Sequence, residues 1–363
     1  MKRYSEVVLN GHPDKFCDLI ADRIILAIYK QEPLAYAQIE VAIWSDIIFL
    51  SGGVATRKIL NLNIQEIIIT LGKEIGYNAE NHIDVSKYKI LNHICFVQND
   101  PRTWTNFVND QSIVVGYAGY DCKTHFLPPE HFICWNIREQ VTQSMTHGLL
   151  KGHGPDGKIL VVMTEEKESW KLEQLLITMQ QKESAPFMLF TEQLCETIRI
   201  AYSTIQKNDP RWTNEWNEIK VLINPNGPLL NGGSDGDNGQ TGRKLVMDFY
   251  GPRIPIGGGA LYGKDLSHID RLGANMARQF ALNEVKNGAK EVILKVCYAP
   301  GMESPLSVDI QTDKRPIQNA KNFFKYSEMK KQVQLKDIGY DIDKLGSYYN
   351  SAMSFNIPTR KIS

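Results

Sequence analysis

The fold class of this 363-residue chain is decided by the stretch DKFCDLIADRIILAIY (Asp14–Tyr29) together with the stretch IEVAIWSDIIFL (Ile39–Leu50). Apolar residues in the first stretch recur at the spacing of one helical face, which predicts an amphipathic helix: Phe16, Leu19, Ile20, Ile24 and Ile28. Apolar and polar residues then alternate up to the turn Ser45-Asp46, and the apolar pattern returns behind it, which predicts a strand hairpin. A helix beside a strand hairpin is typical of α+β layers.

Helices and strands continue to mix along the chain, without a sequence repeat of fixed period. Further helices are predicted at about 64–75, 130–145, 191–205 and 267–286, and further strands at about 158–163, 172–180, 218–224 and 291–298. The strand and helix pattern runs three times, and we place its segments at 1–115, 116–227 and 228–363, although proline and glycine occur in loops throughout and no long linker separates the segments. We therefore predict an α+β protein, and we expect its last thirty or so residues to form a loosely packed tail.

The composition excludes several classes of protein. With 42% hydrophobic and 23% charged residues the chain is ordinary for a globular protein. Lys+Arg 41 balance Asp+Glu 41, which argues against a surface tuned for nucleic acid or anionic lipid. No apolar run reaches the roughly eighteen residues of a membrane span, and no signal-peptide pattern is visible. The cysteines and histidines are scattered, which disfavours disulfides and zinc. We expect a cytoplasmic protein that binds neither nucleic acid nor membrane.

The first motif that can carry chemistry is Asn10-Gly11-His12-Pro13-Asp14, where a loop enters the predicted helix. Proline is favoured at the first helical position, and a helix N-terminus attracts anions. His12 could donate a hydrogen bond to a departing oxygen, and Asp14 could hold a divalent cation that contacts phosphate. A purely structural role is the alternative, because an aspartate in the first turn also interacts favourably with the helix dipole.

The second motif is the glycine-rich stretch NGGSDGDNGQTGRK, from Asn231 to Lys244. Glycines leave backbone N–H groups accessible to phosphate or sugar oxygens, and Arg243 with Lys244 supplies two adjacent cations for a polyphosphate. A calcium-binding loop is the rival interpretation, but the glutamate and the flanking helices of an EF-hand are not evident. The pattern therefore favours a phosphate-binding loop.

The third motif is GGGALYGKD, from Gly257 to Asp265, which nearly matches a Walker A loop. Asp265 stands where that loop requires Ser or Thr, so we predict a different phosphate cradle. Asp270 follows and offers a carboxylate for a second cation. Another match, to G-x-G-x-x-G at 152–157, precedes a predicted strand and does not join a strand to a helix, which excludes a dinucleotide-binding loop there.

Taken in order, the motifs 11–15, 232–244 and 257–264 together with Asp270 strongly resemble the signatures of S-adenosylmethionine synthetase, also called methionine adenosyltransferase. The resemblance implies three similar α/β domains around a pseudo-threefold axis. It also implies a homodimer with sheets packed at the interface and active sites built from both chains, and dimers of this family often pair into tetramers. The implied reaction joins ATP and L-methionine and then hydrolyses the released triphosphate to phosphate and pyrophosphate.

The resemblance also implies roles for individual residues. The expected catalytic residues, which also contact ATP, are His12, Lys158, Arg243, Lys244 and Lys264. Two Mg²⁺ per site are expected at Asp14 and Asp270, and K⁺ is expected at Glu40. Further ATP contacts are expected from Asp110, Asp156, Leu229, Asp237 and Ala260. Methionine contacts are expected from Gln98, Asp237, His268 and Val54.

The departures from the family pattern concentrate on substrate recognition. Val54 replaces a glutamate expected to pair with the methionine ammonium, Leu229 replaces a phenylalanine expected against adenine, and His268 replaces a lysine. An unperturbed His268 would titrate near about pH 6.5, so that its contact with the methionine carboxylate would fade between about pH 6 and 8. The segment 99–110 lacks the glycines of a mobile lid. A catalytically weak nucleotide-binding homologue that acts as a regulatory or pairing subunit is therefore the alternative function.

Overall fold

The computed structural model describes residues 1–314 and 320–332, so the expected C-terminal tail lies largely outside the described residues. Within them the strands are β1 (Lys2–Val8), β2 (Tyr36–Trp44), β3 (Ile47–Thr56), β4 (Lys89–Gln98), β5 (Ser112–Gly119), β6 (Gly157–Glu165), β7 (Trp170–Met179), β8 (Lys220–Ile223), β9 (Gly239–Gln240), β10 (Glu291–Tyr298) and β11 (Ser307–Thr312). The α-helices are α1 (Pro13–Gln31), α2 (Ile64–Ile75), α3 (Pro129–His147), α4 (Phe187–Asn208), α5 (Leu245–Asp248), α6 (Ile269–Lys286), α7 (Ala320–Phe323) and α8 (Tyr326–Gln332).

The strands form three sheets. The first sheet has the order β4-β3-β2-β9, the second β1-β6-β7-β8, and the third β11-β10-β5. Neighbouring strands are antiparallel except in two pairs, β3 with β4 and β7 with β8. Each sheet is covered on one face by helices: α1 packs on the first, α3 and α4 on the second, and α6 on the third. This arrangement confirms the predicted α+β class.

Every sheet combines strands from different sequence segments, and β5 itself crosses the boundary predicted between residues 115 and 116. The amino-terminal β1 pairs with β6, β5 pairs with β10, and the short β9 pairs with β2. The pairing of β9 brings the second glycine-rich motif beside the start of α1, where Gly239 lies against Pro13. A Cβ on Gly239 would lie 2.3 Å from the carbonyl carbon of Pro13, so only glycine fits there. The topology therefore assembles the motifs that the sequence separates.

The helices bury the apolar side of each sheet. On α1 the predicted stripe is fully buried, with Phe16, Ile20, Ile24 and Ile28 all at 0% exposure. Burying apolar surface at about 25 cal/mol per Å² is the main favourable term that holds this layer together. The helix begins where expected, with Pro13 in its first turn. Among the described residues, no helix is both long and apolar enough to cross a membrane.

The opposite, open face of the first sheet carries exposed apolar side chains. The cross-strand registers β2–β3 and β3–β4 place them together on this face: Trp44, Ile47, Phe49, Leu91 and Val97, which are 42–58% exposed. Glu40 lies on the same face, because it pairs with Ser51 in the β2–β3 register. A contiguous apolar face of this kind marks an interaction surface.

Most predicted elements are confirmed, and five of the described strands were missed. The helices at 64–75 and 267–286 agree with α2 and α6 to within two residues, and the hairpin agrees with β2 and β3. The sequence analysis did not predict β1, β4, β5, β9 or β11. For β4 and β11 the reason is that neither strand has a buried face in this chain: nearly all of β4 is exposed, and β11 alternates only between exposed and half-buried positions.

Candidate active site

The N-terminus of α1 is capped by a histidine. His12 has extended backbone angles, and its Nδ1 accepts a hydrogen bond from the backbone N–H of Asp14 at 3.3 Å. Burial, together with the positive charge of Lys244, lowers the pKa of His12 to about 4. The imidazole is therefore neutral at pH 7, and because Nδ1 accepts, its proton lies on Nε2.

Asp14 is the centre of a first cluster, which consists of His12, Asp14, Arg243 and Lys244. The Asp14 carboxylate is almost fully buried and accepts hydrogen bonds from the Lys244 ammonium and from the backbone N–H of Gln240, the latter at 2.9 Å. Arg243 Nε lies 3.5 Å from the same carboxylate. A buried carboxylate is stable only when it is paired in this way. Both cations of the second motif therefore converge on the start of α1.

Three further predicted residues surround the first cluster. The charges of Lys158 and Asp237 both act on the pKa of His12, which places them close to it. Lys158 is exposed and forms an ion pair with Glu6 at 2.7 Å. Asp156 accepts a hydrogen bond from the Gly233 N–H at 2.7 Å, and burial raises its pKa to about 6. These side chains line the approach to the α1 N-terminus.

The N-terminus of α6 holds a second cluster, which consists of Asp110, Ser112, Lys264, His268 and Asp270. Lys264 Nζ lies 2.7 Å from Asp270 Oδ2, and the Ser112 hydroxyl donates to Asp270 Oδ1 at 2.6 Å. Gly259 approaches this carboxylate closely, since a Cβ there would lie 2.2 Å from Asp270 Cγ. The third motif therefore wraps around Asp270.

His268 caps α6 and is buried. Its Nδ1 accepts the backbone N–H of Asp270 at 3.2 Å, and its Nε2 lies 3.7 Å from Asp110 Oδ2. Burial, with a further contribution from Lys264, lowers the pKa of His268 to about 4. This value contradicts the expected titration between pH 6 and 8: His268 is a neutral residue that caps a helix.

The donor atoms of the second cluster fit a divalent cation. One ligand atom each from Asp110, His268 and Asp270 lie within 4.8 Å of one another. Hard carboxylate oxygens suit Mg²⁺. His268 is a poor ligand in the observed orientation, because Nδ1 accepts the helix amide and Nε2 therefore carries the proton. The carboxylates are the better donors.

The remaining predicted residues are more dispersed. Half-buried Glu40 is on β2, and burial raises its pKa, while the charge of Lys264 acts in the opposite direction. Val54 is 1% exposed and points into the core. Gln98 is exposed at the end of β4, and half-buried Leu229 accepts the Gln181 N–H at 2.9 Å through its carbonyl. Ala260 lies against Gly242, whose ideal Cβ would be 3.0 Å from the Ala260 Cβ.

Sequence analysis missed a buried charge network directly behind the first cluster. The Lys15 ammonium donates to Asp18 at 2.8 Å and to Asp248 at 2.5 Å, and it lies 3.9 Å from the centre of the Tyr262 ring. All of these side chains are buried. The i, i+3 spacing of Lys15 and Asp18 on one helix was the available signal. The network fixes α1 against the loops that carry both clusters.

Strand β2 sets the distance between the two clusters in one chain. Ala42 pairs with Gln240, which contacts Asp14, and Gln38 forms a bridge with Lys264. Four residues of strand separate these two contacts, or about 13 Å. The clusters therefore lie along the same strand, at neighbouring but separate positions.

Three successive family models match the chain. They describe the N-terminal, central and C-terminal domains of S-adenosylmethionine synthetase, over residues 2–97, 106–229 and 231–356 respectively. This chain belongs to the S-adenosylmethionine synthetase family. The synthetase motifs identified in the sequence lie within the first and third of these matches.

Curated relatives agree with the synthetase assignment. The chain is 33% identical to the S-adenosylmethionine synthase of Borreliella afzelii over 84% of this chain and 79% of that protein. It is 33% identical to the Acholeplasma laidlawii enzyme of that name, over 85% and 81% of the two chains. It is 31% identical to the Mycoplasma capricolum enzyme of that name, over 97% and 93%. These identities confirm the family that the motifs predict. They also show that the chain is a divergent member of it.

Proposed function

We propose that this chain forms S-adenosylmethionine from ATP and L-methionine and then hydrolyses the triphosphate to phosphate and pyrophosphate. The observation that carries the proposal is the convergence of paired cations and carboxylates on two histidine-capped helix N-termini, at Asp14 and at Asp270. A neutral thioether needs no general base, whereas a departing triphosphate requires positive charge and hydrogen-bond donors.

His12 is suited to the leaving oxygen of the ribose. Because its Nδ1 accepts the helix amide, its Nε2–H is the donor, and its lowered pKa keeps this donor neutral at pH 7. We assign to His12 the hydrogen bond to O5′ of ATP as the methionine sulfur attacks C5′ and the C5′–O5′ bond breaks. A neutral donor needs no proton uptake before each turnover.

Four cations are suited to bind the phosphate groups of ATP: Arg243, Lys244, Lys264 and Lys158. Lys244 and Lys264 are each paired with a buried aspartate, so they are held in place before the substrate arrives. Such preorganised cations stabilise charge that develops on the leaving group. Phosphate oxygens would replace the aspartates as partners of the two lysines and would leave the carboxylates free for metal.

The donor set fits hard cations at both aspartates. We assign two Mg²⁺ per site to Asp14 and Asp270, and K⁺ to Glu40, whose half-buried carboxylate faces the open side of the first sheet. Bound Mg²⁺ would neutralise triphosphate charge. Within the described part of the chain, Glu40 takes part in no ion pair.

The other substrate contacts remain as assigned from the family pattern. Further ATP contacts come from residues around both clusters: Asp110, Asp156, Leu229, Asp237 and Ala260. Gln98, Asp237 and His268 are assigned to methionine. The expected contact of Val54 with methionine is not kept, because its side chain points into the core. The chain also lacks at this position the carboxylate expected to pair with the methionine ammonium, so methionine affinity is expected to be low. We also place the protein in the cytoplasm, with domains at 1–115, 116–227 and 228–363.

A homodimer is supported by the open face of the first sheet. Its exposed apolar side chains surround the strand that carries Glu40 and contacts both clusters. Pairing two such faces would bury them and would bring the first cluster of one protomer toward the second cluster of its partner. An isologous dimer of this kind is the commonest closed symmetry. A tetramer would require a further contact between dimers.

The deciding experiment incubates the purified protein with ATP, L-methionine, Mg²⁺ and K⁺ and follows the products by mass spectrometry. We expect S-adenosylmethionine, phosphate and pyrophosphate, and we expect product formation to stop in excess EDTA and to resume when Mg²⁺ is restored. Full product formation in EDTA would remove the metal assignment. Nucleotide binding without turnover would instead support the regulatory alternative.

A further inference from the structure

Helix α1 contacts the backbone of both glycine-rich motifs through a row of three buried aspartates. The row stands at intervals of four residues, on one face of the helix: Asp14, Asp18 and Asp22. Each carboxylate accepts, at 2.9 Å, a backbone N–H from one of the two motifs, and the donors are in order Gln240, Gly242 and Gly263. The last of these donors directly precedes Lys264. A single helix face therefore holds the loops of both clusters.

The last aspartate of the row forms a buried, bidentate ion pair with an arginine of α6. Arg271 Nη1 donates to Asp22 Oδ1 at 2.9 Å, and Arg271 Nη2 donates to Asp22 Oδ2 at 2.7 Å. The two side chains are only 4% and 2% exposed. A buried pair offsets its desolvation cost only when its geometry is good and its remaining polar atoms are also bonded. Here those remaining bonds go to the loop of the third motif.

The ion pair holds the backbone on both sides of Lys264. Asp22 Oδ1 accepts the Gly263 N–H, and Arg271 Nη1 donates to the Lys264 carbonyl oxygen at 2.7 Å. Strand β2 holds the same turn, because the Ile39 N–H donates to the Gly263 carbonyl oxygen at 2.7 Å. Gly263 has a φ of +73°, and a Cβ there would lie 2.2 Å from the Ile39 carbonyl oxygen. The backbone that carries Lys264 is therefore fixed from α1, α6 and β2.

The ammonium of Lys264 is held by a different contact, which the substrate would remove. Asp270, the residue before Arg271, accepts the ammonium at 2.7 Å. Lysine has a flexible four-carbon stem, so the position of its ammonium is well defined only while both the backbone and the ammonium are held. Under the proposed function a phosphate oxygen replaces Asp270 as the partner of Lys264. From that point the backbone contacts alone direct this side chain toward the phosphate.

We propose that Asp22 and Arg271 are positioning residues that act through Lys264 and determine how tightly the site binds triphosphate. The proposal rests on the proposed function, which assigns Lys264 to the phosphates. Both residues are buried, and their contacts are with the loop backbone. A lysine in place of Arg271 would keep the positive charge beside Asp22. It lacks the planar fork that bonds the carboxylate and the Lys264 carbonyl at the same time.

The test is a double-mutant cycle of Lys264→Ala and Arg271→Lys, with the affinity for Mg·triphosphate measured by calorimetry. Lys264→Ala should weaken binding by about 10- to 150-fold, as expected for the loss of a charged hydrogen-bond donor. Arg271→Lys should weaken binding at least about fivefold while Lys264 is present and should cause no further loss in Lys264→Ala, because residues that act through one group are not additive.

The matched control is Arg278→Lys. Arg278 is also a buried arginine of α6, but it donates to the carbonyl oxygens of Phe126 and His125, at 3.1 and 2.8 Å, and not to the loop of Lys264. Its variant should bind triphosphate as the wild type does. If Arg271→Lys does not fold, the variant Asp22→Asn/Arg271→Met replaces it in the cycle. That variant leaves no buried charge without a partner and still removes the donor to Lys264.

Three results would overturn the proposal: wild-type affinity in Arg271→Lys, an equal loss with and without Lys264, or the same loss in Arg278→Lys. The last two would indicate a general effect on the fold. A wild type that does not bind triphosphate would overturn it as well, together with the assignment of Lys264. Binding needs no turnover. A wild type that binds triphosphate but makes no S-adenosylmethionine therefore refutes the proposed activity and leaves the cycle readable.

Discussion

His12 and His268 occupy equivalent positions at two helices far apart in sequence. Each is an N-cap, with φ and ψ of −63° and 133° at His12 and −62° and 133° at His268. Each accepts through Nδ1 the backbone N–H of an aspartate two residues later, and each of those aspartates is paired with a lysine. The chain thus contains the same His-x-Asp-and-lysine arrangement twice.

Lys264 is expected to be essential for turnover. Replacing it by alanine removes a cation proposed to stabilise the departing triphosphate, and kcat should fall by about 10²-fold or more. Steady-state rates of S-adenosylmethionine formation measure the effect. Lys290→Ala is the control, because Lys290 is exposed and lies outside both clusters. Near-normal kinetics in Lys264→Ala would refute the assigned role.

Lys15 is expected to matter for stability. Lys15→Met would leave the buried carboxylates of Asp18 and Asp248 without their shared cation, which should lower the free energy of unfolding by about 3–5 kcal/mol. Thermal or urea unfolding measures it. Lys2→Met, which removes an exposed ion pair with Glu173, should cost less than about 1 kcal/mol. Equal effects of the two variants would contradict this prediction.

Asp156 should impose a pH dependence on stability. Its pKa is raised to about 6 in the folded state, from an ordinary value of 3.8, so between these values the folded state holds more proton than the unfolded state. Its contribution to stability is therefore present at low pH and is lost as pH rises through 6. Asp156→Asn keeps an acceptor for the Gly233 N–H but does not ionise. The Tm of the variant relative to wild type should rise from pH 4 to pH 7. A constant difference would be the contrary result.

Phe49 should be required for the dimer. Phe49→Asp places a charge on the open face of the first sheet, where burial against a second copy would desolvate it. Sedimentation or light scattering should show a shift from the proposed dimer to monomer, and activity should be lost if the site is built from both chains as proposed. Leu34→Asp is the control, since Leu34 is 53% exposed in the loop before β2, at the opposite end of that strand from Trp44. An intact dimer in Phe49→Asp would argue against this interface.

Local patterns made the helices and the motifs of the candidate site predictable. The stripe on α1 and the cap at His12 depend on residues within a few positions of one another, so the sequence alone indicates them. The lowered pKa of His268 could not be predicted, because its main cause is burial in the folded chain, which local sequence does not show. The partner of Lys15 could not be predicted either, since Asp248 is 233 residues away.

The exchange of strands between segments has a consequence for how the chain folds. Lys2 pairs with Thr164, and Ala42 pairs with Gln240, so the first two sheets remain incomplete until distant residues have been synthesised. Contacts of such large sequence separation slow folding, because loop closure must precede the stabilising contacts. The three segments therefore cannot complete their folding one after another during synthesis. The nascent chain exposes an unpaired sheet edge until most of its length has left the ribosome.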